Sequence, residues 1–517
     1  MNSSIWPDDF PVLRSLNLMD KTAYISVYDK TGVEEFARGL AELGFELYAS
    51  GSTFKLLAGA GIEAEEVRYS PPVPYAVLKA LSGRFPAVTE NGVELPRFYV
   101  VAASLYPIAS IVGQEEFAIG ELSSYLDQAN SAVLRAAARD FENVITVSSP
   151  VDYGPVLRAL KEDGGLEPEL KKQLAARAWQ HLAAYDATVA QYLSETGNLL
   201  GDEVVMSLKK VSDLEYGENR HQKAAFYALS GARPRGFNAA KVLAGSGLNL
   251  NHYLDLDTAF ELALEFEEPV CVISKHDRPA GVCAAGTQAE SLRGALKSDP
   301  AGAVGGTAAF NRQVETDTAG VLAETFIESV VAPGYSPEAL KVLRSKEGLR
   351  VLSLPAPVLS PYEVELHSVS GGVLIESKDN RLFSAEPGSV ARRRPTDAEM
   401  RALLLAWKTV KYAKTYAVVL AEGRNTIAVS ASESSTYDAV RSAIWKMRDK
   451  RSILPGSGPL VMAADAALPL KTLQAALAGG VSAVIQPGGW QDDEDCVRLC
   501  DSRNAAMLFA GLRHFRH

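Results

Sequence analysis

Short apolar runs alternate with helix-periodic segments along the first third of the chain, and this alternation most constrains the fold. Residues 22–28 and 45–49 predict strands, and each is followed by a polar turn. Helical spacing follows the first turn, with apolar side chains at Val33, Phe36, Ala37 and Leu40. Repeated strand–turn–helix units are typical of a doubly wound parallel sheet, so we predict an α/β fold.

The rest of the first 200 residues continues this pattern. Residues 98–103 and 144–147 predict strands, and residues 133–139 predict a helix. We interpret residues 69–93 as a long irregular loop and 166–195 as a helix that leads into the next domain.

The remaining residues predict two further α/β layers, although no clear repeat is visible in the sequence. Residues 416–430 predict a hairpin, Ser336–Pro337 a helix start, and Thr396 with Glu399 a capping box. The run 391–395 contains three arginines, and we interpret it as a solvated linker. We predict domains at 1–199, 200–385 and 386–517.

Composition excludes several classes of function. The 517 residues suffice for about three domains, and a net charge of −11 disfavours nucleic acid as a partner. We find no signal peptide and no apolar stretch long enough to span a membrane, so we expect no membrane partner. Four cysteines are too few for a disulfide framework and suit the cytoplasm.

Lys275 and His276 are the first candidate catalytic residues. They follow an apolar run at 270–273, and we expect an alanine-rich helix or crossover after them. Histidine accepts protons near neutral pH, and a neighbouring ammonium stabilises negative charge. Two ordinary polar residues at a solvated strand end are the alternative interpretation.

Two early turns are candidate phosphate sites, because backbone N–H groups and hydroxyls at helix N-termini bind phosphate. They are 29–32 and 50–53; a plain capping role for Thr31 and Ser50 remains the alternative. Glycines within 302–310 allow close approach of a ligand or another chain. Cys496 and Cys500 share a helix face, but without nearby histidines we expect buried thiols and no metal.

Many short motifs, in order and nearly end to end, give the chain a resemblance to a known family. They are Ser26-Val-Tyr-Asp-Lys-Thr-Gly32, Ser50-Gly-Ser-Thr53, Leu105-Tyr-Pro107, Leu134-Arg-Ala-Ala-Ala138, Tyr216-Gly-Glu-Asn219, His221-Gln222, Tyr253-Leu-Asp-Leu-Asp257, Lys275-His276, Gly305-Gly306, Ala332-Pro-Gly334, Ser368-Val-Ser-Gly-Gly372, Ala406-Trp-Lys408, Asp465, Gln486-Pro-Gly-Gly489 and Leu512-Arg-His-Phe-Arg-His517. The chain resembles a divergent member of the bifunctional AICAR formyltransferase/IMP cyclohydrolase family of purine biosynthesis.

The resemblance implies a methylglyoxal-synthase-like N-terminal domain and a C-terminal pair of cytidine-deaminase-like subdomains without the deaminase zinc. The C-terminal pair would transfer a formyl group from 10-formyltetrahydrofolate to AICAR, and the N-terminal domain would close formyl-AICAR to IMP. His276 would take a proton from the amine, and Lys275 would stabilise charge on the formyl oxygen. A homodimer with transferase sites at the subunit interface is also implied.

The resemblance implies two sets of site residues. Lys275, His276, Tyr106 and Asp127 would be catalytic. Substrate contacts would come from Lys30, Thr31, Ser50, Gly51, Thr53, Tyr216, Asn219, Gly305, Gly306, Asp465, Arg513 and His517.

Several positions depart from the family pattern. The Lys-Thr pair expected near 80–86 is missing, and the family's Asp-Ile-Gly-Gly keeps only Asp127. Other expected residues are replaced by Tyr28, Arg139, Glu215, Asp277, Arg278, Tyr416, Thr436, Ala467 and Leu468. We therefore expect formyl transfer more than ring closure; the alternative is a non-catalytic paralogue that binds a nucleotide or a partner.

Overall fold

The computed structural model describes residues 21–68, 75–81, 87–90, 93–112, 119–194, 200–230, 236–355, 364–451 and 458–517. Two compact units divide the chain, one from residues 1–209 with 229–233 and the other from residues 210–228 with 234–517. The predicted boundaries at 199/200 and 385/386 stay predictions. None of the described helices has both the length and the apolar character needed to cross a membrane.

The strands of the first unit are β1 (Thr22–Ser26), β2 (Glu46–Ala49), β3 (Glu65–Glu66), β4 (Ala87–Glu90), β5 (Val93–Pro96), β6 (Val100–Ala103) and β7 (Ile145–Val147). Its helices are α1 (Val33–Glu42), α2 (Gly51–Gly59), α3 (Tyr75–Leu81), α4 (Ile108–Val112), α5 (Leu122–Tyr125), α6 (Gln128–Arg139), α7 (Tyr153–Glu162) and α8 (Pro168–Leu193).

A parallel sheet of order β3-β2-β1-β6-β7 forms the centre of the first unit. Alternate residues of β1 face opposite sides: Tyr24 packs into one apolar core, whereas Ala23 and Ile25 pack into the other. Helices therefore cover both faces, and the predicted doubly wound parallel sheet is confirmed.

The interpretation of residues 69–93 as an irregular loop is wrong. Helix α3 and the antiparallel pair β4–β5 occupy much of this range. Residues 69–74, 82–86 and 91–92, which include most of the position expected for the missing Lys-Thr pair, lie outside the described residues.

The strands that follow are β8 (Leu208–Asp213), β9 (Ala225–Leu229), β10 (Lys241–Ala244), β11 (Val270–Ser274), β12 (Pro279–Ala284), β13 (Thr307–Phe310), β14 (Ser329–Ala332), β15 (Arg350–Ser353), β16 (Val364–Val369), β17 (Gly372–Ser377), β18 (Gly388–Ser389), β19 (Val418–Glu422), β20 (Asn425–Ser430), β21 (Leu460–Ala464), β22 (Ala483–Gln486) and β23 (Ala506–Phe509). The helices are α9 (Leu250–Leu264), α10 (Gln288–Ser298), α11 (Thr316–Ala323), α12 (Pro337–Arg344), α13 (Asp397–Lys411), α14 (Thr436–Arg451), α15 (Leu470–Ala478) and α16 (Asp493–Ser502).

One mixed sheet of order β10-β15-β14-β13-β11-β12-β20-β19-β21-β22-β23-β18 runs through the second unit. Its two halves have the same order when read from opposite edges, and corresponding neighbours pair in the same direction. The halves join where β12 meets β20 antiparallel. A structural repeat is therefore present that the sequence does not display.

Local sequence explains several helix starts. Ser336 caps α12 and Pro337 occupies its first turn, as predicted. The capping box of Thr396 and Glu399 at the start of α13 is confirmed. By contrast, α1 has Gly32 as its N-cap and makes no side-chain cap hydrogen bond, so the alternative capping role of Thr31 is wrong.

Arg393 corrects the interpretation of the arginine run as a solvated linker. Its Nη1 and Nη2 donate to the two carboxylate oxygens of buried Glu399, each at 2.8 Å. Ser482 Oγ donates to Glu399 as well, at 2.6 Å. These hydrogen bonds, led by those from Arg393, lower the pKa of Glu399 to about 2.

We predict that Glu399→Gln lowers the free energy of unfolding by roughly 2–3 kcal/mol near pH 7, because it breaks a bidentate charged pair. The folded-state pKa lies below the ordinary 4.5, so this contribution is present above pH 4.5 and is lost as the pH falls towards 2. Urea unfolding at pH 7, 4 and 2.5 would measure it. Exposed Glu347→Gln is the control, with a change within about 0.5 kcal/mol; a wild type–E399Q difference independent of pH would contradict the prediction.

Candidate functional site

Serine side chains gather at the carboxyl edge of the parallel sheet in the first unit. Ser26 ends β1, Ser50 follows β2, and Ser104 follows β6. Ser50 Oγ donates to Ser26 Oγ at 2.9 Å, and Tyr24 donates to Ser50 Oγ at 3.1 Å. Ser104 Oγ accepts the backbone N–H of Tyr28 at 2.7 Å. Ligands of open α/β sheets bind at this edge.

Lys30 reaches the same edge. Its ammonium donates to Thr53 Oγ1 at 2.9 Å and to the Val27 carbonyl, and burial lowers the pKa of Lys30. Ser50 is the N-cap residue of α2, as its alternative interpretation proposed, but its hydroxyl makes no cap hydrogen bond. Gly51, at φ 54°, opens α2. Lys30 and the residues of the turn 50–53, which were expected to bind phosphate, therefore lie close together.

Thr31 lies in the preceding turn, where its backbone N–H donates to Asp29 Oδ1 at 2.9 Å. This hydrogen bond orders the turn 29–32 locally. The side chain of Thr31 is exposed, which leaves it accessible to a ligand.

Asp127 caps α6 beside this edge. Its Oδ1 accepts the backbone N–H of Asn130 at 3.0 Å, and its own N–H donates to the Tyr185 hydroxyl at 2.8 Å. Burial raises the pKa of Asp127, and hydrogen bonds from Asn130 and the Tyr106 backbone oppose this shift. The exposed ring of Tyr106 packs edge-on against Tyr28, with centroids 5.0 Å apart. Two predicted catalytic residues are therefore neighbours.

Arg139 is the last residue of α6 and is exposed, at the opposite end of that helix from Asp127. The cation in this position therefore does not contact the carboxyl group of Asp127.

Asp127→Asn and Asp127→Ala test whether the Asp127 side chain stabilises α6 as its N-terminal cap. Asparagine caps helices as well as aspartate does, so we expect D127N to unfold within about 0.5 kcal/mol of the wild type. Alanine offers no acceptor, so D127A should lose about 1–2 kcal/mol. Thermal unfolding of the three proteins would measure the difference, and equal losses in both variants would show that the cap is not the stabilising contact.

Lys275 and His276 lie in a hairpin turn of the second unit, because β12 pairs antiparallel with β11 directly after them. The predicted helix or crossover is therefore wrong. Gly281 allows β12 to pack directly against α10, because a Cβ at this position would lie only 2.2 Å from the Ala295 carbonyl of that helix. Close packing against α10 thus requires an extended glycine at this position.

Glycines 305 and 306 bring a second backbone segment against the turn. A Cβ at Gly306 would lie 3.0 Å from the Ser274 carbonyl, and Gly305 has φ 72°. Lys275 Nζ donates to the neighbouring Val304 carbonyl. These glycines directly precede β13 and allow the close approach that was predicted for them.

A row of charged groups extends from Lys275. Its Nζ and Glu328 Oε1 both lie beside Gly305, at 3.7 and 3.3 Å from where a Cβ would stand. Glu328 Oε2 lies 3.7 Å from Nε2 of buried His252. His252 Nδ1 accepts the Asn249 N–H at 3.2 Å, and burial lowers the pKa of His252.

A cavity of about 420 Å³ lies in the same unit, and one of its walls is Glu215, which interacts electrostatically with His252. Its walls are Ser212, Asp213, Leu214, Glu215, Val242, Ser246, Gly247, Leu248 and Tyr253. None of these lining residues was predicted as a site residue from the sequence. Glu215 was noted only as a departure from the family pattern.

The predicted Tyr216 and Asn219 occupy the turn that follows this wall. The Asn219 side chain donates to Gln222 Oε1 at 3.2 Å, and the Tyr216 carbonyl accepts from Leu250 N–H at 3.3 Å. Tyr216 thereby ties the turn to the first residue of α9.

Asp465 lies at the end of β21 and is fully buried. Oδ2 accepts from Thr415 Oγ1 at 2.6 Å, and Oδ1 has no hydrogen-bond partner among the described residues. Burial raises the pKa of Asp465 to about 6. The backbone N–H of His514 donates to its carbonyl at 3.3 Å, which ties the C-terminal segment here.

The C-terminal segment brings aromatic and cationic groups together. Arg513 stacks over Phe515 at 4.3 Å from the ring centroid, and the rings of Tyr416 and His517 flank Phe515 at 5.6 and 6.2 Å. Arg513 and His517 are exposed. The next residue inward, Arg516, contacts the Lys275–His276 turn through Asp277 at 3.0 Å.

Sequence reasoning missed the residues that brace this turn. They are Asp255, Thr258, Lys414 and Arg516, and Asp277 was noted only as a departure. The motif 253–257, which supports the family resemblance, contains two carboxylates, Asp255 and Asp257. Their close spacing was the sequence signal that could have indicated Asp255.

Candidate metal ligands lie elsewhere. Cys496 and Cys500 are buried free thiols, and burial raises the pKa of both. Glu365, His367 and Glu376 meet on the exposed β16–β17 hairpin, where His367 Nε2 lies 3.1 Å from Glu376 Oε1. This distance is that of an ordinary surface ion pair, so we place no metal there.

Comparison with known proteins identifies the sequence family that this chain resembles. The sequence profile of the AICARFT/IMPCHase bienzyme family matches residues 137–446, and that of the MGS-like domain matches residues 32–72. The bifunctional purine biosynthesis proteins PurH of Halalkalibacterium halodurans and of Bacillus cereus are each 36% identical, over 96% of this chain and 100% of theirs. The crystal structure of ForH is 29% identical over 34% of this chain, with a TM-score of 0.28.

Proposed function

The chain belongs to the AICARFT/IMPCHase bienzyme family of purine biosynthesis, and we propose that it transfers a formyl group from 10-formyltetrahydrofolate to AICAR and closes formyl-AICAR to IMP. One observation carries the transfer half: Lys275 and His276 stand together on a turn held by two neighbouring backbone segments, with the imidazole exposed. Formyl transfer is the stronger of the two activities.

His276 acts as the general base. The weakly nucleophilic amine of AICAR forms a bond to the formyl carbon, and the imidazole takes the proton that the amine loses. The tetrahedral adduct then breaks its bond to N10 of the folate, and N10 receives a proton. An exposed ring on a fixed turn is accessible to both substrates.

Lys275 stabilises the negative charge that develops on the formyl oxygen. Its ammonium has three N–H donors, and the Val304 carbonyl accepts from it. That hydrogen bond holds the head group beside Gly305. The ammonium is therefore placed before substrate arrives.

The nucleotide extends from the turn along Glu328 and His252 towards the cavity. The carboxylates of Glu328, beside His252, and of Glu215, in the cavity wall, offer acceptors for hydroxyl or amide groups of the nucleotide. Glu215 repels a phosphate, so the phosphate of AICAR lies away from this wall. Arg278, exposed on the same turn, supplies a cation nearer the reacting amine.

Ring closure takes place at the carboxyl edge of the first unit. The phosphate would bind there to Lys30, Thr31, Ser50, Gly51 and Thr53. The catalytic residues of this step, Tyr106 and Asp127, lie beside that site. The replaced positions around Asp127 make this the weaker activity.

Replacing His276 or Lys275 tests the transfer half. We expect His276→Gln to lower kcat for formyl transfer by about 10²–10⁴-fold, since the general base is lost. Lys275→Met should lower it by about 10²–10³-fold, since an oxyanion donor is lost. Turnover of AICAR with 10-formyltetrahydrofolate, followed by tetrahydrofolate release, measures both.

His367→Gln, on the exposed β16–β17 hairpin, is the matched control and should leave kcat unchanged. Formyl-AICAR is supplied separately to measure ring closure. If the wild type turns over neither substrate set, the chain is the non-catalytic paralogue that binds a nucleotide or partner. If it transfers formyl groups as well without His276, the base assignment is refuted.

A cytoplasmic homodimer with the transferase site at the subunit interface completes the proposal. Apolar side chains next to Lys275 support it: Val304 is 48% and Phe326 77% exposed, and Gly305 N–H donates to the Phe326 carbonyl at 2.8 Å. The buried free cysteines suit a reducing compartment.

Phe326→Asp tests the interface, because a charge desolvated at a dimer contact is strongly unfavourable. We expect sedimentation velocity to show a dimer for the wild type and a shift of at least ~10-fold in the dimer dissociation constant for F326D. Exposed Trp490→Asp, on the loop before α16, is the control; equal effects of the two substitutions would refute this interface.

A further inference from the structure

We propose that Asp277 is a positioning residue of the transferase site, which ties the turn that carries His276 to helix α9 and to the C-terminal segment. Through this tie it fixes where the imidazole stands. The inference rests on the proposed formyl transfer, in which His276 takes the proton.

The turn has an unusual backbone. His276 has φ 59° and Asp277 has φ 58°, so two consecutive residues with side chains adopt the left-handed conformation. Such residues persist only where the surrounding structure holds them. The Lys275 N–H donates to the Arg278 carbonyl at 3.0 Å, which closes the turn but does not attach it to the rest of the unit.

The backbone of Asp277 supplies one attachment. Its N–H donates to Oδ1 of buried Asp255, on α9, at 2.7 Å. Ser274 Oγ donates to the Arg278 carbonyl at 3.1 Å and lies 3.5 Å from the same Asp255 oxygen. Asp255 thus faces the inside of the turn.

The side chain of Asp277 supplies the other attachments. Oδ1 accepts from Thr258 Oγ1 on α9 at 2.5 Å and from Arg516 Nη2 at 3.0 Å. Oδ2 lies 3.3 Å from Lys414 Nζ. One carboxylate therefore connects the turn to α9 of the first repeat and to two cations from the second.

The imidazole of His276 itself is held less directly, through an electrostatic interaction with buried Asp255. Within the described part of the chain, no hydrogen bond is made by the ring of His276, and its side chain is exposed. The position of the base is thus set by the backbone of the turn, and Asp277 is the residue that attaches this backbone at both its main chain and its side chain. A shift of about 1 Å in a reacting group can lower a rate by about 10²-fold.

Kinetics of Asp277→Ala and Asp277→Asn test the proposal with the full-length protein. We expect D277A to lower kcat for formyl transfer by ~10–100-fold with both KM values within ~3-fold, because the base moves while the cavity is unchanged. D277N keeps a side-chain acceptor for Thr258 and tolerates the left-handed conformation, so its kcat should fall between those of D277A and the wild type.

Glu399→Gln is the matched control, since it also removes a carboxylate paired with an arginine in the same unit but lies away from the turn. A purely structural role for Asp277 would lower stability as E399Q does and leave kcat per folded molecule unchanged. Arg516→Met should reproduce the kcat loss of D277A, and the double variant should be no worse than either single variant.

An NMR signal from the His276 ring tests the positioning role independently of the proposed formyl transfer. Seven histidines give seven signals in protein labelled at histidine Cε1, and H276Q identifies the signal of His276. We expect D277A to shift or broaden that signal and leave the remaining six in place. If D277A does not fold, D277N and R516M are measured in the same way.

The outcomes are distinguishable. An unchanged His276 signal together with an unchanged kcat in D277A overturns the positioning role. If the wild type transfers no formyl group, the proposed function fails, and the signal of His276 alone then decides whether Asp277 positions the ring.

Discussion

The antiparallel pairing of β11 with β12 sets the geometry of the candidate transferase site. Ser274 pairs with Pro279, so only four residues remain to form the turn, and Lys275 and His276 are two of them. β11 is buried along its length and also pairs with β13. A slip of one residue would turn its buried side chains to the wrong face, so the register, and with it the turn, is strongly fixed.

This fixed turn carries strain that its surroundings offset. Left-handed backbone costs roughly 1–2 kcal/mol for each residue with a side chain, less for aspartate. Hydrogen bonds to charged groups contribute about 1.5–3 kcal/mol each, and Asp277 accepts one from Arg516 and faces Lys414. Thr258 donates a second hydrogen bond to the Asp277 carboxylate, and these contacts together offset the strain, so the turn holds its conformation before any ligand binds. Groups placed in advance need no reorganisation when charge develops in the transition state.

The fold could be predicted largely from local pattern, because periodicity and caps are local properties. The parallel sheet of the first unit, the hairpin at 416–430 and the helix starts at Ser336 and Thr396 follow from neighbouring residues. The segment 279–284 could not, because alanine and glycine there serve close packing against α10 and not helix formation. Tertiary context overrode propensity at this position.

The site was predictable only in part, for the same reason. Lys275 and His276 are adjacent in sequence, so their pairing is visible there. The groups that hold them come from Asp255, 22 residues before Asp277, and from Arg516, 239 residues after it. Spacing along the sequence cannot identify such distant partners. Arg516 contacts Asp277 only because β19–β23 pack beside the first repeat.

Comparison of the two repeats shows why this turn is strained in only one of them. The turn between β19 and β20 occupies the place that corresponds to 275–278, and it contains Gly423 at φ 59°. Glycine adopts this conformation without a steric penalty, so that turn needs no carboxylate to hold it. In the first repeat the same kind of backbone carries histidine and aspartate, at a cost that only additional contacts can offset. Side chains occupy strained positions where they serve chemistry, and the second repeat supplies the cations that make this possible.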